Sequence, residues 1–427
     1  MMKVDMKIDV HHLARVEGHG DIHIDIKDGK LVKAQWAVVE TPRFFEAMLR
    51  GQPYDLAPTL ASRICGICSI THTLCSLRAV ERAMDVEIPP AGRLLRLLAK
   101  HAETLQSHIL HVFFLAAPDF FGVPSVIPLI KSHPEVVGIA ARLKGLANDI
   151  CDEIAGRTVH PVSLVVGGVS RAPEKEQLKA IRKRIEDCMP DIRATVDLFK
   201  TLDIPDFVRE TEFVSLKGDN DYPYIGGDLV STDGVVKPED DYLAMTNEYK
   251  EDFTTSKFAR LSRESMAVGA LARFNNNYEF LHPEAKEAAA ELNLHPVNHN
   301  PFMNNVAQVI ESLNAMLDCI DVIDQLLEQD LKLDDIKSKV EVKAGTAVGA
   351  VEAPRGILYH EYTIDETGHV TGANCIIPTT QNNANIHFDL ADLAEWALAQ
   401  GKDDKEITLL SEMLVRAYDP CISCSVH

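Results

Sequence analysis

Two short stretches, far apart in the chain, carry residues suited to soft-metal chemistry. One is Arg63-Ile64-Cys65-Gly66-Ile67-Cys68, with His72 four residues on. The other is Asp419-Pro420-Cys421-Ile422-Ser423-Cys424, followed by His427. Each is a Cys-x-x-Cys pair, and four thiolates in two pairs suit a soft metal ion. Most of the 427 residues lie between the pairs, so the fold is expected to bring both ends to one metal site. A structural zinc site with four cysteine ligands is the main alternative. Its ligand pairs ordinarily lie about 15–20 residues apart, because the metal staples a small loop; the separation here does not. A thioredoxin-like dithiol would sit near a βαβ pattern, and neither pair has that setting. His427 adds an imidazole three residues past a candidate ligand, where a chain end would ordinarily fray.

The elements that must position these stretches are readable from periodicity. Met6–Val39 alternates apolar and polar residues around the turn Lys27-Asp28-Gly29-Lys30, a β-hairpin pattern spanning about residues 1–40. His11, His12, His19 and His23 lie on or near it and read as strand and turn residues. Pro42–Arg50 reads as a short helix with Phe44, Phe45, Met48 and Leu49 inward and Glu46 among them. Cys65–Cys68 forms a turn into a helix reaching Met84, which puts His72 one turn beyond Cys68 on the same face. Apolar residues at helical spacing predict long helices over 91–117, 136–156, 173–202 and 304–329, the third kinked or split at Pro190. Alternation returns over 211–237 and 340–377, and helices over 390–399 and 406–418 close the chain. The expectation is an α+β, mostly helical fold in a single domain over 1–427, with a central bundle of long helices and small peripheral sheets.

Composition narrows the partners. Hydrophobic residues make up 46% and charged residues 25%, ordinary for a soluble globular chain with a large core. A net charge of −21 argues against nucleic acid or an anionic membrane as partner. The N-terminus lacks the apolar run of a signal peptide. The most apolar stretch, His108–Ile130, is broken by Asp119 and three prolines and reads as buried protein, not a membrane span. Nine cysteines without an export signal point to reduced thiols and metal chemistry over a disulfide framework, and a cytoplasmic protein is expected. Cys75, Cys151, Cys188, Cys319 and Cys375 read as small buried hydrophobes. There is no glycine-rich nucleotide-binding motif.

Five motifs in order make the chain resemble the large subunit of nickel–iron hydrogenases. They are Arg15-Val16-Glu17-Gly18-His19, Arg63 to His72, Glu352-Ala353-Pro354-Arg355-Gly356, Pro378-Thr379-Thr380-Gln381-Asn382, and Asp419 to His427. Arg43-Phe44-Phe45-Glu46, Ala417-Tyr418-Asp419 and the last six residues look most like the cytosolic bidirectional, sulfhydrogenase or NADP-linked branch. Viologen-, ferredoxin- or heterodisulfide-linked branches share the Thr-Thr-Gln-Asn run. The resemblance implies reversible cleavage of H2 into protons and electrons. It implies nickel held by Cys65, Cys68, Cys421 and Cys424, with Cys68 and Cys424 bridging to an iron that carries carbon monoxide and cyanide. Cys421 would take the proton first and Glu17 next, where the residues alone leave Glu17 as a turn carboxylate paired with Arg15. Arg355 would lie over the open position, with Asp119 and Asp419 pairing with it. Pro354, Pro378 and Thr379 would line the diatomic-ligand pocket, and His72 would bond a bridging sulfur. Glu46, the Cys375 carbonyl and His427 would hold magnesium. Electrons would leave through a small subunit that carries the iron–sulfur clusters, and then a flavin and NAD(P)-binding unit. A C-terminal extension would be removed after His427, though an engineered truncation would end the same way.

Overall fold

Two adjacent α-helices that exchange buried charge form the backbone of the molecule, and the rest packs around them. The computed structural model describes residues 5–427. Helix α1 is Ser69–Ala83, α2 is Pro90–Leu110, α3 is Pro134–Ala155 and α4 is Lys175–Phe199. The short helix α5 is Ala270–Asn277 and α6 is Asn304–Leu327. Helix α2 packs against both α3 and α6, and α4 closes the bundle against α3 and α6. Leu95, Leu98, Leu105 and Ile109 of α2 meet Val306, Ile310, Leu313 and Ile323 of α6 in one fully buried core. That spacing keeps apolar side chains on one helical face.

Four small sheets flank the bundle among the described residues, the smallest a two-stranded ribbon of Leu164–Val165 and Gly168–Val169. Strands β1 (Met6–Val10), β2 (Gly20–Lys27) and β3 (Lys30–Val38) form an antiparallel sheet in that order. The expected hairpin is therefore one strand larger, because Met6–Val10 pairs along β2 from Ile26 to Ile22. Its expected first residues, 1–4, lie outside the described residues. Strands β4 (Gly345–Ala353), β5 (Gly356–Ile364) and β6 (Val370–Ile376) form a second meander, on which α1 lies. The third sheet is four-stranded and includes Glu212–Leu216. Helices α7 (Pro378–Ala399) and α8 (Asp404–Ala417) complete the fold. The first packs against β3, where Trp36 is fully buried and donates Nε1–H to Asn383 Oδ1 (3.0 Å).

Several expectations are corrected. Helix α4 runs unbroken through Pro190. The proline is exposed, so solvent can meet the carbonyl it frees, while Ile185, Ile192 and Val196 stay buried on either side. The short helix before the first cysteine pair spans Phe45–Leu49, and Phe44 and Met48 face outward. Helix α7 begins at Pro378, twelve residues before the expected start at Leu390, because Pro378 suits a first helical position and the polar run after it is hydrogen-bonded inside the protein. A π-helical turn, His111–Ala116, follows α2; such turns interrupt helices where a side chain must be re-aimed. Ile127 and Ile130 are exposed, so the end of the apolar stretch is surface. No helix among the described residues is long and apolar enough to cross a membrane.

The central charges are buried and paired. Arg273 of α5 donates to both carboxylate oxygens of Glu311 on α6 (2.7 and 2.6 Å), and His108 of α2 and Tyr222 also reach that carboxylate (2.8 and 2.7 Å). Burial alone would raise the Glu311 pKa; the guanidinium and His108 overcome it and hold it down to about 2. A folded-state pKa below the unfolded one adds stability above the ordinary glutamate range, and this is lost as pH falls toward 2. Glu311→Gln is therefore expected to cost about 3–5 kcal/mol near neutral pH, and thermal unfolding should show that deficit shrinking between pH 5 and pH 3. A deficit independent of pH would contradict the pairing.

Candidate metal centre

The first cysteine pair is set by the entry into α1. A 3-10 turn, Ser62–Ile64, ends in an extended Cys65, and Cys68 takes the N-cap position of α1. The Cys68 N–H then points back to Cys65 Sγ (3.3 Å). The second pair follows α8. Asp419 adopts a left-handed conformation (φ 50°), Cys421 is extended, and a single helical turn, Ile422–Ser425, brings Cys424 to the same side. Cys421 Sγ lies 3.5 Å from Cys65 Sγ, and Cys424 Sγ lies 3.7 Å from Cys68 Sγ. All four sulfurs fall within 4.8 Å of one another, all are buried, and none is in a disulfide. Burial pushes the Cys421 and Cys424 thiols well up, while hydrogen bonding with Cys421, and then with Cys424 and Cys68, holds Cys65 well below the ordinary range. Such a donor set, closed to water and sharing negative charge, fits soft or borderline metal ions.

The C-terminal segment is fastened to the loop between β1 and β2. Glu17 and Cys421 pair as in a parallel sheet, and Ile422 N–H donates to Glu17 O (2.9 Å). The Glu17 carboxylate accepts from Ser423 N–H (3.0 Å), Ser423 Oγ–H (2.5 Å) and Cys421 Sγ–H (3.2 Å). Glu17 thus touches a ligand candidate directly. Its expected alternative partner, Arg15, is turned away to Asp119 and the Leu115 carbonyl. Gly18 allows the approach: at φ 86° a Cβ there would lie 2.7 Å from Ile422 Cβ.

Arg355 stands over the cluster. Its Nε–H donates to Asp419 O (2.7 Å), and Nη2 lies 2.9 Å from Asp419 Oδ1. Neither Nη atom has a hydrogen-bond partner with good geometry, though both are buried. Burial disfavours its charge, but Asp419 and the cysteine sulfurs keep it protonated. Asp119 is not part of this pair. It binds Arg15 and accepts two bonds from Arg416 (2.9 and 2.8 Å), tying the β1–β2 loop to α8. The reason is position: Asp119 lies beyond the π-helical turn, in the short helix Ala117–Phe120 that faces α8. Asp419 is instead steadied by Gln308 of α6 (3.1 Å), which in turn bonds His111 (2.5 Å). Pro354 offers its carbonyl to Arg273 (3.0 Å), Pro378 is buried at the start of α7, and Thr379 Oγ1 accepts from Cys421 N–H (3.0 Å).

Behind the second pair, His72 Nε2 lies 3.8 Å from Cys424 Sγ, and burial pushes its pKa down to about 4. Its Nδ1 faces His360 Nε2 (3.3 Å), whose Nδ1 faces Tyr362 OH (2.7 Å). One set of tautomers satisfies every atom, with each hydrogen pointing along the chain from Tyr362 to the sulfur. A second group lies below. His427 Nε2 is 2.8 Å from the Cys375 carbonyl and 3.8 Å from Glu46 Oε1, and Cys375 N–H donates to Glu46 (2.8 Å). Burial raises the Glu46 pKa, but His427 and Cys375 outweigh it and hold the group down. The N-terminal histidines pair with nearby carboxylates, His23 with Asp9 (2.8 Å), His11 with the buried Asp21 (3.1 Å) and His19 with Glu40 (2.8 Å), apart from the sulfur cluster.

Sequence reasoning missed Ser423, Gln308, His111, His360 and Arg273. Ser423 lay inside a motif and could have been noticed as a hydroxyl between two ligands. The others come from helices and strands whose register no local pattern discloses.

A family model described as nickel-dependent hydrogenase matches residues 43–136 and 207–427. Sulfhydrogenase 2 subunit alpha of Pyrococcus furiosus is 33% identical, over 99% of this chain and 99% of its own. The beta subunit of the NAD-reducing hydrogenase HoxS of Cupriavidus necator is 31% identical, over 99% of this chain and 94% of its own. A solved NAD+-reducing NiFe hydrogenase in the H2-reduced state matches with a TM-score of 0.90 at 27% identity, over 99% of both chains. The Dm. baculatum NiFeSe hydrogenase, at 24% identity and a TM-score of 0.78, shares the fold over 99% of this chain and 100% of its own.

The fastening of the two chain ends can be tested at Gly18. Gly18→Ala is expected to destabilise by at least about 1–3 kcal/mol from its backbone conformation alone, and to lower bound metal per chain in elemental analysis. Full metal content with an unchanged melting temperature would show that the contact is dispensable.

Proposed function

This chain belongs to the nickel-dependent hydrogenase family, and on that premise we propose how its own residues divide the work of cleaving H2. It is a hydrogenase catalytic subunit, an oxidoreductase acting on hydrogen, with a four-cysteine group for a nickel–iron site. The observation that carries the residue assignments is a pair of contacts: Cys421 touches Glu17 on one side, and Arg355 lies against Asp419 on the other. Cys65, Cys68, Cys421 and Cys424 would hold nickel, with Cys68 and Cys424 shared with iron. When bound, the metal pair supplies Lewis acidity toward H2 and takes up its two electrons.

The protein's part is to handle the protons and hold the shell. Cys421 receives a proton and passes it to Glu17, 3.2 Å away, within reach for direct transfer. The two bonds from Ser423 keep the carboxylate turned toward that sulfur. Arg355 is a fixed charge (its guanidinium does not titrate in this range), and its unpaired donors suit the cyanide and carbon monoxide ligands that iron would carry. His72 would donate toward Cys424 and steady that ligand sulfur. Glu46, His427 and the Cys375 carbonyl offer the oxygen and nitrogen donors for magnesium, with waters completing its shell.

Electrons leave through a partner. Of the cysteines outside the four, Cys75, Cys151, Cys319 and Cys375 are buried as expected and Cys188 is half-buried, and they form no further cluster among the described residues. An iron–sulfur small subunit would take the electrons, followed by a flavin and NAD(P)-binding unit or another soluble acceptor, in the cytoplasm. The relatives named above are themselves subunits of larger hydrogenases, including NAD-reducing ones.

Glu17→Gln is expected to lower H2 turnover by at least about 100-fold, while nickel and iron stay near one each and the carbon monoxide and cyanide infrared bands persist. Turnover at the wild-type rate would sink the relay. Zinc alone, at one per chain, would sink the whole reading.

A further inference from the structure

Arg273 lies outside every motif, yet it is fully buried and uses all three of its nitrogens. Two donors go to Glu311 (2.7 and 2.6 Å) and one to Glu352 (2.9 Å). The remaining two go to main-chain carbonyls, Ala353 O from Nη1 (2.8 Å) and Pro354 O from Nη2 (3.0 Å). Those carbonyls belong to the two residues directly before Arg355: Ala353 ends β4, and Pro354 opens the turn into β5. The turn itself is packed down on the start of α5, the helix that carries Arg273. Gly356 (φ 132°) sits so close to Val268 that a Cβ would fall 2.7 Å from the valine's Cβ. Asn304 ties the same region to the second cysteine pair's flank: its Oδ1 accepts from Leu271 N–H (3.0 Å), and its Nδ2–H donates to Ala417 O (2.7 Å).

We propose that Arg273 is a positioning residue for Arg355: by gripping the Ala353 and Pro354 carbonyls, it sets how far the Arg355 guanidinium reaches over the sulfur cluster. A guanidinium is suited to this because its fork is planar and spans carbonyl and carboxylate acceptors at once. Isolated in the core, the charge would be costly; Glu311 and Glu352 neutralise it from two sides. The arrangement therefore spends two carboxylates to place one cation at a turn. Lysine cannot replace it, since one ammonium cannot reach Glu311, Glu352 and two successive carbonyls together. The proposal rests on Arg355 meeting the iron's diatomic ligands, as read above.

The test uses the purified holoenzyme with its partner subunits. Arg273→Lys is expected to keep nickel content, to lower kcat about 10- to 100-fold with KM within twofold, to shift the cyanide bands, and to raise amide hydrogen exchange in residues 352–357 about tenfold. Arg355→Lys is the companion. If it leaves the cyanide bands in place, the reading of Arg355 fails, and turn exchange alone then judges Arg273. If Arg355→Lys shifts the bands but Arg273→Lys moves neither bands nor turn exchange, the proposal is overturned while that reading stands. Should Arg273→Lys not fold, Glu352→Gln takes its place, since it keeps the acceptor for Leu216 N–H but removes the charge that holds Nη1 at the turn. A rise in exchange of about threefold supports the proposal, and unchanged exchange with unchanged bands overturns it.

Discussion

The pairing of residue 17 with residue 421 is the contact on which the rest of the site depends. One main-chain bond and three bonds to a single carboxylate fasten the last turn of the chain to the loop after β1. That fastening presents Cys421 and Cys424 to the pair at the start of α1. Four sulfurs then meet within 4.8 Å, a distance no local loop could impose across so long a chain. The carboxylate that does the fastening is also the group we propose as the proton acceptor from Cys421, so in that reading structure and proton transfer share one side chain.

A ring of buried charge holds the same place from behind. The chain carries −21 overall, yet its interior cations stand on specific carboxylates: Arg273 on Glu311 and Glu352, Arg416 on Asp119, Arg355 on Asp419. The last of these lies at the sulfur cluster itself, and the other two hold elements next to it: Arg273 the turn that carries Arg355, and Arg416 the end of α8 before the second cysteine pair. Buried ion pairs contribute little net stability against an apolar alternative. What they supply here is geometry, because a bidentate guanidinium admits few orientations.

Much of the site was legible because its residues cluster in short motifs. Cys65, Cys68, Cys421 and Cys424 announce themselves by spacing, and Glu17, Arg355, Thr379 and His427 lie within a few residues of recognisable runs. The bundle was legible from apolar spacing in α2, α3, α4 and α6. What was hidden depends on tertiary register. Asp119 sits on a helical stretch whose direction is reset by a π-helical turn, so its partner changed from Arg355 to Arg15 and Arg416. Pro190 reads as a break, but burial of Ile185 and Ile192 on one face keeps α4 whole. Arg273 and His360 carry no local signal, since an isolated arginine or histidine between apolar residues has no pattern to betray its partners.

The position of the two cysteine pairs along the chain sets an order of events during synthesis. Translation proceeds at ~5–20 residues per second, with earlier parts folding first, so Cys65 and Cys68 leave the ribosome roughly 20–70 s before Cys421. For that interval the helical body can form with half of its sulfur ligands in place and the opposite wall of the site missing. A metal ion could therefore enter through that open side. The docking of residues 421–424 against Glu17 would then supply the missing wall.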